Sequence, residues 1–253
     1  MKKRGQVTLF IIIAIVIVAV LIIVFYPRIR TIFAPATPSI ELQSCVEDRV
    51  EEAIELVGKR GGSIEPVNAI LYQDERVEYL CYTNQYYKTC AMQQPLLRQH
   101  IEREILDYIR EDVRLCVNNL KEDLRGRGYI VSDGKEDISI NIIPDKIQVI
   151  VSGFSAVRAE QGERYEEFEL NFRSNFYELI MLASSILNFE ARLGDSDITM
   201  YMFYYPNIQV KKLKQEDGSK IYILSDVSGD KFVFASRSIS WPAGYGLGET
   251  YTP

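Results

Sequence analysis

Twenty consecutive residues, Val7 to Tyr26, carry no charge, and Thr8 is the only polar side chain before the terminal tyrosine. As a helix, such a run extends about 30 Å, the thickness of a bilayer's hydrocarbon core. It is rich in Ile and Val, which are poor helix formers in water. In lipid every backbone group needs an internal partner, and a helix supplies one within a single segment. Phe25 and Tyr26 close the run where aromatic rings favour the membrane interface, and Pro27 stops it. The pattern predicts a single transmembrane helix over residues 7–26, with the lipid bilayer as its partner.

Flanking charge orients the span. Lys2, Lys3 and Arg4 precede it, against Arg28 and Arg30 after it. That places the basic leader, residues 1–6, in the cytoplasm and the body outside the cell membrane. A cleaved secretion signal is the competing reading, because Ala34-Pro35-Ala36 resembles a small-residue cleavage site. The apolar run is too long for a signal core, and two arginines stand before the alanines. Residues 27–39 then form a Pro-containing linker, made semi-rigid by Pro35 and Pro38.

The whole chain has a net charge of −6, yet its first thirty residues hold five basic and no acidic side chains. The rest is therefore strongly acidic. Such a body repels phosphate backbones, which argues against nucleic acid as a partner.

Four cysteines fit an outward-facing body. Cys45, Cys81, Cys90 and Cys116 form no CxxC pair, and His100 is the only histidine, so a zinc cluster is poorly supported. An even count outside the cell reads as two disulfides. Cys81 and Cys90 would close a short loop around YTNQYYKT. Cys45 and Cys116, each beside the apolar stripe of a predicted helix, would join those two helices.

Residues 40–128 read as a helix-rich part with a small sheet. Leu42, Val46, Val50, Ala53, Ile54 and Val57 recur at helical spacing until Gly61-Gly62. Two β-prone stretches lead to the cysteine loop. A helix over 95–125 follows, with Leu97, Ile101, Ile105, Tyr108, Asp112, Cys116, Leu120 and Leu124 near one stripe, which Asp112 interrupts with Val113 alongside. Residues 129–240 read as an α+β part. Ile138, Ile140 and Ile142 alternate with polar residues, turn at Pro144-Asp145, and resume as Ile147, Val149 and Val151, the mark of a half-buried hairpin. A charged third strand spans ERYEEFELNF. A helix over 175–192 opens with Asn175 and Glu178 at capping-box spacing. Three strands follow, with turns at Asp217-Gly218 and Ser228-Gly229, and residues 241–253 form a Gly- and Pro-rich flexible tail.

The search for chemistry returns no catalytic, cofactor or metal constellation. His100 lacks the second histidine of an HExxH helix, and no GxSxG elbow presents a serine to it. Glu166, Glu167 and Glu169 cluster on a strand, where neighbours point to opposite faces. The sixteen tyrosines are the compositional oddity. Tyr79, Tyr82, Tyr86 and Tyr87 crowd the cysteine loop, and either form a binding surface for protein or sugar or pack on a sheet.

The basic residues, then Gly5-Gln6, then an unbroken apolar helix resemble the leader of archaeal pilin- and archaellin-type proteins, the class III signal. The resemblance covers residues 1–26 and implies cleavage after Gly5, leaving Gln6 as the mature amino terminus. Phe10 stands where many type IV pilins carry a glutamate. The order of SCVEDRV, GKRGG, the Cys116 helix and KFVFASRS also resembles uncharacterised membrane-anchored proteins of small-genomed archaea, and implies no activity.

Together these features predict an α+β protein: an N-terminal transmembrane helix followed by a disulfide-stapled extracellular α+β body. The expected role is a structural, adhesive or pilin-like one at the cell surface, through a protein partner or self-assembly and without catalysis. An anchored binding or accessory subunit is the alternative, and an anchored hydrolase the third reading.

Overall fold

Among the described residues the first full helix, α1 (Pro38–Lys59), is amphipathic, and Leu42, Val46, Val50, Ala53 and Val57 are all buried. Pro38 occupies its first turn, where a missing N–H costs nothing. Helix therefore begins inside the stretch read as linker. At the other end Gly61 takes φ +83°, and the Gly62 N–H bonds the Val57 carbonyl at 2.8 Å. That is the six-to-one bond of a Schellman stop, which a side chain at Gly61 would strain.

In the computed structural model the described residues are 37–158 and 162–239, with Leu21 alone before them. The expected membrane span 7–26, the leader with Gly5 and Gln6, and the tail 241–253 lie outside them. Among the described residues, no helix is long and apolar enough to cross a membrane.

The elements after α1 are β1 (Ala69–Tyr72), β2 (Glu75–Tyr82), β3 (Ala91–Met92), α2 (Leu97–Gly126), β4 (Ile130–Ile143), β5 (Lys146–Arg158), β6 (Glu163–Arg173), α3 (Phe176–Leu193), α4 (Thr199–Tyr204), β7 (Ile208–Lys214), β8 (Ser219–Asp226) and β9 (Lys231–Arg237). They build two sheets. One is an antiparallel meander, β4-β5-β6, with the two-residue turn at Pro144-Asp145 as expected. The other runs β1-β2-β9-β8-β7, with β3 paired to β2.

The larger sheet changes the expected organisation. Strand β2 pairs with β9 in parallel, so the sheet read as a small local one includes the last strands of the body. The chain from Ser39 onward forms one unit, and residues 40–128 and 129–240 are its two halves. A parallel pair so far apart in sequence needs a long crossover, here supplied by α2, the meander and α3.

Helix α3 is the centre of the packing. It touches β2, β3, β8 and β9 of the large sheet, and also α2, β4 and β5. Phe176, Leu179, Ile180, Leu182, Ala183, Ile186 and Leu187 are buried accordingly. Its expected capping box does not form: the Asn175 side chain makes no cap bond and instead donates to Asp226. Ser174 Oγ accepts the Phe176 N–H at 3.1 Å, and Asp230 accepts the Asn175 N–H at 2.6 Å. The cap is tertiary rather than local.

Helix α2 buries Ile109 and Val113 where the sequence pattern pointed to Tyr108 and Asp112. Its core face drifts round the axis because α2 is thirty residues long and packs on β4 as well as α1. Asp112 turns outward and holds Arg49 of α1 at 3.0 Å.

Both expected disulfides are present. Cys45 and Cys116 staple α1 to α2 with Cα atoms 6.0 Å apart, and Cys81 and Cys90 close the β2–β3 loop at 5.3 Å. Each separation lies within the usual range for a bridge. The protein is a mixed α+β body held by two disulfides.

Candidate functional site

The tyrosine group does not act as one surface. Tyr79 is only 7% exposed and its hydroxyl meets Ser219 Oγ at 2.8 Å, so it belongs to the packing of the large sheet. Tyr82 stands edge-on against it, with ring centres 5.1 Å apart, and the Arg237 guanidinium lies over its face. Tyr86 and Tyr87 point out of the cysteine loop, 53% and 72% exposed. Strand β2 is buried on both faces from Val77 to Cys81, which takes in Tyr79, whereas the loop leaves the last two rings exposed. The loop itself is pinned from beneath: Ser238 Oγ accepts the Cys90 N–H at 3.0 Å, and Lys88 pairs with Ile239.

A second tyrosine-bearing segment is also exposed. Helix α4 buries none of its residues and displays Met200, Met202, Phe203 and Tyr204. The sequence pattern showed no helix there, since six residues are too few for periodicity to speak.

The most constrained polar group lies deep under α3. Glu190 has no solvent exposure, and its carboxylate accepts bonds from Lys220 Nζ at 2.9 and 2.8 Å, from Ser236 Oγ at 2.9 Å and from the Tyr222 hydroxyl. Lys220 also donates to the Gly194 carbonyl and lies 3.3 Å from Asp195 Oδ1. Asp195 in turn holds Lys212 Nζ at 2.8 Å, and Lys212 reaches the Ser196 carbonyl at 2.8 Å. Two carboxylates and two ammonium groups thus balance one another, with donors matched to acceptors, as buried charge requires.

Local chemistry builds this group. Gly194 ends α3 with φ +83° and returns its N–H to the Glu190 carbonyl at 3.0 Å. The chain therefore turns sharply, and Asp195 meets the same lysine as Glu190. On β8, Lys220, Tyr222 and Leu224 alternate with residues of the opposite face, so the lysine enters on the side that carries α3. Burial pushes the Glu190 carboxyl up from its ordinary range, against the pull of Lys220. Burial acts the same way on Asp195, but Lys220 and Lys212 outweigh it and hold that carboxyl low. Burial beside Glu190 also drives the Tyr222 hydroxyl strongly up, so it stays a donor.

These residues escaped the sequence search, although two signals marked them. Glu190 falls on the Leu179, Ala183, Ile186, Leu187 stripe, and Lys220 stands at an inward position of an alternating strand. A charge on each of two facing apolar surfaces is the signature of a buried pair.

His100 has a partner that the sequence did not disclose. Ser63, just past the left-handed Gly61 and Gly62, lies with its Oγ 2.8 Å from His100 Nε2 and donates its hydroxyl to Glu78. With that proton given to Glu78, the imidazole nitrogen faces Ser63 as a donor. Burial lowers the His100 pKa and raises that of Glu78, so the ring stays neutral. A base that activates serine must accept its proton, and here the carboxylate takes that bond instead. Ser63 is also buried. The cluster ties the α1–β1 loop to α2 and β2, helped by Glu104 accepting the Ile64 N–H at 2.8 Å.

A groove of about 520 Å³ runs between α1 and the end of β6, lined by Glu47, Glu51, Lys59, Arg173 and Lys231 among others. Gln43 bridges its walls by bonding the Asn171 backbone in both directions. Among the described residues, no three His, Cys, Asp or Glu side chains are arranged to hold a metal ion. Comparison of the chain with known protein families, with curated proteins and with solved structures finds no match in any of the three.

Proposed function

We propose that this chain is a membrane-anchored cell-surface protein whose acidic body works outside the cell in a structural, adhesive or pilin-like role. The pair of disulfides carries the reading, since such bridges persist in oxidising compartments. The uncharged run 7–26, with its more basic leading flank, supports an anchor with the body outside. Polar clusters whose donors and acceptors are spent on each other, at Glu190 and at Ser63, support a scaffold over a catalyst. The groove between α1 and β6 favours a second reading, an anchored binding or accessory subunit.

Protease shaving of intact cells, combined with non-reducing peptide mapping, tests the placement. The expected result is external digestion of the body and recovery of Cys45–Cys116 and Cys81–Cys90 peptides. A protected body with four free thiols would refute it. The mass of the native amino terminus tests the pilin-type branch: Gln6 supports processing after Gly5, intact Met1 rules that branch out, and Thr37 replaces the anchor with secretion.

A further inference from the structure

We propose that Lys220 and Asp195 form an intramolecular amide, with Glu190 as the proton carrier, so that a covalent bond ties the end of α3 to β8. The inference goes beyond the surface role and stands on geometry independent of it.

Three groups needed for such a condensation meet in one place. The amine is Lys220 Nζ, on a side chain only 9% exposed. The acceptor carboxyl is Asp195, with Oδ1 3.3 Å from that nitrogen. The second carboxyl is Glu190, touching the same nitrogen at 2.9 and 2.8 Å. The Gly194 turn brings the two carboxyls to one amine. Positioning of this kind replaces a rare bimolecular encounter by a contact already made, worth many orders of magnitude in effective concentration.

The two acids are not interchangeable. Glu190 is gripped by Tyr222 and Ser236 as well as Lys220, which hold it as an acid–base group. Asp195 instead has Lys212 Nζ at 2.8 Å from the oxygen that gains charge when its carbon is attacked. A fixed ammonium at that oxygen stabilises a tetrahedral oxyanion. Burial raises the proton affinity of Glu190, which suits it to take a proton from the lysine.

The step balances without a co-reactant. Glu190 takes one proton from the Lys220 ammonium, leaving a free amine, and passes it to the Asp195 carboxylate, which becomes a neutral acid open to attack. The amine's lone pair forms a C–N bond to the Asp195 carboxyl carbon. The C–OH bond of Asp195 then breaks, and that oxygen leaves as water with a second proton from the nitrogen. The third hydrogen stays on the amide, and Glu190 returns to its starting state. Glu190 has no solvent exposure and the Asp195 side chain only 22%, which limits the reverse attack by water.

Intact mass spectrometry of the full chain, purified in detergent and fully reduced and alkylated, provides the test. The expected mass is one water below that of the sequence after allowing for any amino-terminal processing. Tryptic digestion should give a branched peptide joining the Asp195 and Lys220 segments, with no cleavage at Lys220. K220R, which keeps the charge, and D195A should each show the full mass. E190Q should retain the full mass far longer than wild type. Full mass in wild type, with no branched peptide after prolonged warming of the folded protein, overturns the proposal. So does water loss that survives D195A, or a branch that joins Lys220 to Glu190. If a variant fails to fold, the wild-type mass and branched peptide still decide the matter.

Discussion

The two disulfides close loops of very different length, and this sets a quantitative test of how they stabilise the body. Cys45 and Cys116 are 71 residues apart, whereas Cys81 and Cys90 are 9 apart. If a bridge acts by removing freedom from the unfolded chain, the longer loop contributes about 4.4 kcal/mol and the shorter about 2.6 kcal/mol at 25 °C. Burial points the other way. Cys81 and Cys90 are both buried, while Cys45 lies on the exposed face of α1. A packing account therefore ranks Cys81–Cys90 first. Two variants separate the accounts: C81A/C90A keeps only the long bridge, and C45A/C116A keeps only the short one. Urea unfolding of each, oxidised and reduced, isolates the cross-link from side-chain truncation. Reduction should cost the first variant about 4.4 kcal/mol and the second about 2.6 kcal/mol. For a body of this size the longer bridge is worth roughly 9–18 °C in Tm. An equal or inverted order refutes the loop-entropy reasoning.

Four further outcomes follow from the side-chain geometry. In a D195A background, where Lys220 stays an ammonium, Lys220→Met leaves the fully buried Glu190 without its cation and should cost about 3–5 kcal/mol, whereas K220M/E190M together should cost less, as a double-mutant cycle in urea will read. Burial favours the neutral form of Asp226, but bonds from Ser228, Asn175 and the backbone N–H groups of Asp230 and Gly229 outweigh it and hold the carboxyl low. Its folded value lies beneath the ordinary 3.8, so its stabilisation is present above that pH and is lost as the pH falls through the folded value. Acid unfolding curves should accordingly be flatter below pH 3.8 for D226N than for wild type. Gly153 has φ +97° and lies where the β4–β5 register shifts between Asp133 and Asp137, and a Cβ there would lie 2.0 Å from the Lys135 carbonyl oxygen, so G153A should cost at least about 1–3 kcal/mol; a neutral Tm would contradict that close approach. Ser238→Ala strips the acceptor from the buried Cys90 N–H, and should cost about 1–3 kcal/mol and speed reduction of Cys81–Cys90; an unchanged reduction rate counts against the pinning of that loop.

What the sequence disclosed was local, and what it concealed was long-range. The stripe of α1, the Pro144-Asp145 hairpin and the last three strands follow from periodicity and turn chemistry, so each was legible residue by residue. Each predicted cysteine pairing rested on a local cue, short spacing for Cys81–Cys90 and stripe position for Cys45–Cys116. The parallel β2–β9 pair had no such cue, because β-prone stretches carry no address. The cap of α3 misled for a related reason. Asn175 and Glu178 have the spacing of a capping box, yet Asp230, fifty-five residues on, takes the Asn175 N–H first. Asp112 looked like a flaw in the α2 stripe only because a fixed stripe was assumed; a helix packed on different neighbours along its length rotates its core face, and Val113 takes the buried place.

Glu190 is informative because it sits where an apolar residue would suffice. Helix α3 buries eight of its 18 residues, against the two sheets and α2, and apolar contact is non-directional. Leu, Ile and Ala facing Val and Phe would tolerate a shift of one turn at modest cost. Glu190 does not tolerate it. A one-turn slide moves its carboxylate about 5.4 Å from Lys220, Tyr222 and Ser236 and strands a charge in the core. The three partners come from β8 and β9, so the carboxylate fixes the helix against both strands at once. Ser238 extends the connection, since its hydroxyl donates to the Glu190 carbonyl at 3.0 Å while accepting the Cys90 N–H. Register of the central helix, alignment of β8 with β9 and anchorage of the cysteine loop thus converge on one buried glutamate, whose worth lies in the geometry it enforces more than in the energy of its ion pair.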